Sequence, residues 1–191
     1  MKVLVLSGEV THQRPITYGF PSDWEVQVLS IVDPEHLALC EKYGDPKSIS
    51  PTETVTFLKR AYDRAITQIN DTETDAIVGI GYGAHVLMNL NMSHEWRGPS
   101  VFVLTEGTTK YNFVPRPLLD EIDLDIRSVK TAWITLISKE TKSSGTKINL
   151  QARKTSHDLQ EVLQIAVLDK NWQDCVYGTG LLTSCLKSLV M

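Results

Sequence analysis

The sequence predicts an α/β fold: one domain built on a mostly parallel central sheet of about six strands, flanked by helices. Three observations carry that expectation. Short apolar runs rich in Val, Leu and Ile alternate with stretches of helical periodicity, the pattern of strands covered on both faces by crossover helices. A strand-like run, Asp75 to Ile80, leads through a cluster of glycines straight into an apolar helix. Two segments, opening at Ser50 and at Asp158, carry the capping-box pattern that starts a helix.

Taken in order, Lys2–Leu6 and Glu25–Ile31 read as the first two strands, each short and bounded by turn formers and each expected to be buried on both faces. The connection between them, broken by Pro15, Gly19 and Pro21, has no room for a long helix. A loop rich in Pro, Gly and Asp is expected from Val32 to Ser50. Ser50-Pro51-Thr52-Glu53 then places Ser at the N-cap, Pro at the first helical position and Glu where it closes the box. Val55, Leu58, Ala61, Ala65 and Ile69 recur at helical spacing, which gives one face to lay on a sheet.

Asp75–Ile80 is the third strand, followed by a helix through Val86, Leu87 and Leu90. Ser100–Leu104 is the fourth. From Thr105 to Lys130 a loop with Pro115 and Pro117 precedes a helix through Leu118, Leu119, Ile122 and Ile126. Thr131–Ile137 is the fifth strand and Thr146–Ala152 the sixth. A last helix is expected from Asp158, burying Leu159, Val162, Leu163 and Ala166. Residues 171–191 remain an unassigned C-terminal extension of the single domain, 1–191.

The bulk properties exclude several classes of function. The chain has 191 residues, 42% of them hydrophobic and 22% charged, with a net charge of −4. That balance argues against a nucleic-acid binder that works by neutralising phosphates. No apolar run approaches the roughly 18 residues of a membrane span. The opening apolar stretch stops at Leu6 and turns polar through Glu9, His12 and Arg14, so it reads as a strand and not as a signal peptide. A cytoplasmic protein is expected, without a nucleic-acid or membrane partner. Cys40, Cys175 and Cys185 show neither metal-ligand spacing nor a disulfide framework, and the histidines form no His-x-x-x-His pair. No metal and no cofactor are expected. The ligand is left open between a small molecule and a protein partner, and a homo-oligomer is allowed.

Gly79-Ile80-Gly81-Tyr82-Gly83 is the most informative stretch. A strand, a sharp glycine turn and a helix build a nucleophile elbow, where flanking glycines relieve the clash made by a strained central residue. Gly79 and Gly83 hold the flanking positions. Gly81 stands where Ser, Cys or Asp would be the nucleophile. The same residues also fit a dinucleotide fingerprint, with Gly79, Gly81 and Ala84 as G-x-G-x-x-A and Glu106 lying 22 residues beyond Ala84 as a ribose-binding acid. Two points favour the elbow. The fingerprint normally sits on the first strand of its domain, and Gly83 is needed only by the elbow.

At these residues the chain resembles the α/β-hydrolase superfamily, as a small member with little or no cap. The resemblance runs from Lys2 to about Leu168. Leu4-Val5-Leu6-Ser7-Gly8 is similar to the family's strand leading into the oxyanion loop, Val26–Asp33 and Pro34 to the next strand and its Asp-Pro turn, and Lys147–Asp158 to the last strand and histidine loop. The resemblance implies His157 as the base, Glu140 as the acid with Glu106 as the alternative, and the backbone N–H groups of Tyr82 and Glu9 as the oxyanion hole. Gly81 leaves the nucleophile position degenerate. Three functions follow as expectations: a non-catalytic binding or assembly protein of hydrolase fold, a hydrolase of small esters or thioesters in which His157 activates water directly, and a dinucleotide-binding protein. The Tyr82 phenol, with an ordinary pKa near 10, is a poor nucleophile and reads as a packing residue.

Overall fold

The computed structural model describes residues 1–8, 15–43, 50–104, 133–137, 163–167, 172–177 and 180–190. Strand β1 (Lys2–Ser7) is buried from Val3 onward, as its unbroken apolar run requires. A 3-10 turn (Ile16–Gly19) leads to β2 (Glu25–Ser30). Helices α1 (Pro34–Tyr43) and α2 (Pro51–Asp71) precede β3 (Ala76–Ile80), α3 (Tyr82–Met92) and β4 (Ser100–Leu104). Strands β5 (Trp133–Ile137) and β6 (Leu163–Val167) come next, then helices α4 (Trp172–Tyr177) and α5 (Leu181–Val190). The sheet runs β2-β1-β3-β4, its ladder continues through β5 and β6, and every pairing is parallel. The fold is of the α/β class.

Side chains alternate between two sheet faces because the strand period is two residues. Leu4, Leu6, Ile77 and Phe102 face one side, against Leu58, Ala61 and Ala65 of α2 and Leu87 and Leu90 of α3. Val3, Val5, Val78, Ile80, Val101 and Val103 face the other, against Ile16 and Phe20 near the 3-10 turn, Val176 of α4, and Leu182 and Leu186 of α5. A fully buried Leu, Ile or Phe side chain contributes about 1.5–3 kcal/mol relative to exposure. These two layers are therefore the main source of stability.

The start of the sheet is stapled in both directions. Asp75 accepts from the backbone N–H of Lys2 at 2.7 Å and donates its own N–H to the Lys2 carbonyl at 2.9 Å. Helix α2 starts where the sequence places it. Ser50 accepts from the Glu53 N–H at 3.3 Å and Glu53 accepts from the Ser50 N–H at 3.2 Å, a complete capping box.

Three expectations are corrected, and the unassigned C-terminal extension is found to hold two helices. The loop predicted from Val32 to Ser50 contains α1, begun by Asp33, whose carboxylate accepts from the Glu35 N–H at 2.9 Å. Strand β2 is not buried on both faces: it lies at the end of the sheet, and Val28 is 42% exposed. The predicted helix that was to bury Leu163 and Ala166 is overturned over Leu163–Val167, which is β6, paired in parallel with β5. Its run of Leu, Ile and Val suits a strand as well as a helix, and pairing with a distant strand decides between them. The C-terminal extension forms α4 and α5, and Leu186 of α5 is fully buried in the core. The strand predicted over Thr146–Ala152, the start of the helix at Asp158 and the segment from Thr105 to Lys130 lie outside the described residues.

Candidate functional site at the glycine turn

In the order β2-β1-β3-β4, the chain leaves β1 toward β2 and leaves β3 toward β4, in opposite directions across the sheet. In open parallel sheets, ligands bind outside the carboxyl ends of the strands at such a switch point. Gly8, after β1, and Gly81, after β3, meet there: the Gly8 N–H donates to the Ile80 carbonyl at 3.0 Å.

Gly81 links β3 to α3 with φ 59° and ψ −121°, a combination closed to relaxed residues that carry a side chain. Its N–H donates to the Val103 carbonyl of β4 at 3.0 Å, and its carbonyl accepts from the Ala84 N–H at 3.0 Å, closing the first turn of α3. The glycines around it are enforced by contact. A Cβ on Gly79 would stand 2.6 Å from the Gly83 carbonyl oxygen and 2.7 Å from the Ala84 Cα. A Cβ on Gly83 would overlap the carbonyl of Leu6, and one on Gly8 would overlap the backbone nitrogen and Cβ of Tyr82. The three glycines let α3 descend directly onto β1, and Gly81 takes the dihedral angles that turn the chain.

Tyr82 follows Gly81 and is 7% exposed. Burial pushes its phenol well above the ordinary value of 10, the Arg64 guanidinium pulling the other way and the Asp33 carboxylate adding to the rise. The phenol is therefore protonated at neutral pH and supplies no phenolate nucleophile.

A polar group that the sequence reading missed lies at the neighbouring end of β2. Asp33 is 9% and His36 5% exposed. Arg60 of α2 donates to Glu35 at 2.7 Å and reaches Asp33 at 3.5 Å, while Arg64 donates to the Ile31 carbonyl at 2.7 Å. Phe57, Arg60 and Arg64 share a face of α2 through their spacing of three and four. That spacing, together with an Asp at the N-cap before Pro34, was the available signal.

Of the residues singled out from sequence, Gly81 and Tyr82 sit together at this turn. Glu9, Glu106, Glu140 and His157 lie outside the described residues. Among the described residues, no group of His, Cys, Asp and Glu is placed to hold a metal ion, and no helix is long and apolar enough to cross a membrane. An open hollow lined by Lys2, Glu25, Asp71 and Glu73 lies at the amino edge of the sheet, opposite the glycine turn. No protein-family model matches the chain, and no curated protein matches it in sequence.

Proposed function

We propose that this chain is an α/β-hydrolase-fold protein whose nucleophile elbow carries glycine, and that it serves as a binding or assembly module without serine-hydrolase activity. The observation that carries this reading is the conformation of Gly81, φ 59° and ψ −121° at a strand-to-helix turn, flanked by two glycines that tolerate no Cβ. That is the backbone of a residue presented at the carboxyl edge of a sheet. The strand order, with β1 inside the sheet and the turn after β3, supports the same fold. Covalent acyl transfer needs a side chain that can be activated. Gly81 has none, and the Tyr82 phenol is buried and protonated.

Under this proposal His157 stands in the base position and Glu140, or else Glu106, in the acid position. The N–H groups of Tyr82 and Glu9 stand as oxyanion donors. A site of that kind keeps the means to bind a carbonyl or an anion after losing its nucleophile.

The test is exposure to a fluorophosphonate probe together with turnover of p-nitrophenyl esters, against a heat-killed control. Neither labelling nor turnover is expected. Stoichiometric labelling would overturn the proposal, and turnover without labelling would point instead to water activated by His157.

The dinucleotide reading keeps one supporting observation, the position of Gly79, Gly81 and Ala84 at the switch point. Ligand at 100 times its dissociation constant adds about 2.7 kcal/mol. A dose-dependent melting shift with NAD or NADP would replace the elbow reading, and none is expected.

A further inference from the structure

An aromatic stack joins the first turn of α1 to α2. The His36 ring lies 4.8 Å from the Phe57 ring, with an interplanar angle of 11°, and His36 is 5% exposed. The Arg60 guanidinium lies over the same Phe57 ring, 5.7 Å from its centroid. Arg60 also donates to Glu35 at 2.7 Å and reaches Asp33 at 3.5 Å, and Asp33 accepts from the Glu35 N–H. We propose that His36 is a pH-sensitive latch: neutral, it stacks in this seam and holds α1 on α2 at the carboxyl edge of the sheet, and protonated, it releases the first turn of α1.

Three features of the geometry disfavour an imidazolium at this place. The ring is removed from water, so its charge would lose hydration. It belongs to the first turn of α1, where the helix dipole repels a cation. The Arg60 guanidinium already occupies the vicinity of the Phe57 ring. One group acts the other way: the Asp33 carboxylate, in the turn between β2 and α1, attracts a proton to His36. Glu35 on α1 is engaged by Arg60, Arg64 on α2 donates to the Ile31 carbonyl ahead of α1, and the Tyr82 phenol on α3 feels the charges of Arg64 and Asp33. Burial prevails over Asp33 and holds His36 below its ordinary value of 6.5.

The direction of the effect follows. The released state binds the proton more tightly than the latched state, so latching is fully developed above the free value near 6.5 and weakens as pH falls toward the lower, latched value. Each unit between the two values is a factor of ten in the latching equilibrium. The latch does not depend on what the elbow binds.

The experiment is an NMR titration of the intact chain from pH 8 to 5, following the His36 ring and the backbone amides of α1. The expected result is a His36 midpoint below 6.5, the same midpoint in the α1 amides, and an open fraction that grows by up to tenfold per pH unit. His36→Phe keeps a ring on Phe57 and removes the proton site, so α1 should stay closed at pH 5. His36→Gln removes both, and α1 should be open at all pH values. A His36 midpoint at or above 6.5, or α1 amides that do not move through it, would overturn the latch. So would the same transition surviving in His36→Phe. Should either variant fail to fold, the coincidence of the two midpoints in the parent chain decides.

Discussion

Gly83, in the first turn of α3, lies so close to the carbonyl of Leu6 in β1 that a Cβ on Gly83 would overlap that oxygen. In an ordinary helix Gly→Ala gains about 1 kcal/mol from propensity. Here the sign reverses. Gly83→Ala is expected to destabilise the protein by about 3 kcal/mol, the upper part of the range for overpacking, because the obstacle is backbone and cannot swing aside. Urea denaturation of the variant against the parent measures it, and a variant as stable as the parent would contradict the close approach of α3 to β1.

Gly81→Ser is expected to cost about 1–2 kcal/mol, the strain of a Cβ in a backbone conformation that glycine adopts freely. The same sample should be treated with a fluorophosphonate probe. Slow labelling would place the new hydroxyl within reach of a base, for which His157 is the candidate, whereas an inert and destabilised variant would show that the base has lost its place. A variant more stable than the parent would contradict the turn itself.

Leu186→Ala is expected to cost about 2–5 kcal/mol, as deletion of a buried leucine does where the neighbours close in only partly. Leu186 is fully buried on the sheet face formed by Val101 and Val103. A loss below 1 kcal/mol in chemical denaturation would mean that α5 does not cover that face in solution.

Ser50→Ala is expected to lower stability by about 1 kcal/mol through loss of the N-cap. It should also flatten the acid limb of the stability profile. The Ser50 hydroxyl and backbone N–H hold the Glu53 carboxyl below its ordinary value of 4.5. Their stabilisation is therefore present above that value and lost as pH falls through the lower, folded one. Urea melts of parent and variant at pH 7, 5 and 3 should differ less at the acid end, where only the loss of the N-cap bond to the Glu53 N–H remains. A constant difference at all three would show that the box does not titrate.

Legibility in the sequence followed the range of the forces. The capping box at Ser50 and the strand-glycine-helix order from Asp75 to Leu90 could be read because both are decided within a few residues. Gly79 records a clash with the nearby Gly83 and Ala84 backbone and Gly81 a local dihedral angle, whereas Gly83 records the close approach of α3 to the distant β1. Helix α1 was missed because much of what holds it comes from α2, with Arg60 reaching back to Glu35 and Asp33. The exposure of Val28 was missed because a strand's place in the sheet is a property of the pairing order. Strand β6 was misread because Leu163 and Ala166 fit a helical stripe equally well, and β5, which settles the matter, is far away in the chain. The Asp33–His36–Arg60 group was missed for a similar reason: the spacing of Phe57, Arg60 and Arg64 marks a face of α2, but what that face meets is decided by packing against another element.

Leu182 and Leu186 of α5 complete the apolar layer that also holds Val3 and Val5 of β1, and this has a consequence in time. The layer that strand β1 shares is completed only after the residues as far as α5 (Leu181–Val190), far later in the sequence, have been made. Contacts of such long sequence separation slow folding, because loop closure must be met before they form. Until α5 docks, the valines of β1, β3 and β4 present a continuous apolar surface to water, the kind of surface that partly folded chains use to aggregate. Kinetic escape from that trap therefore rests on the last helix, and substitutions in α5 that leave the finished fold only slightly weaker will tell most strongly on the yield of refolding.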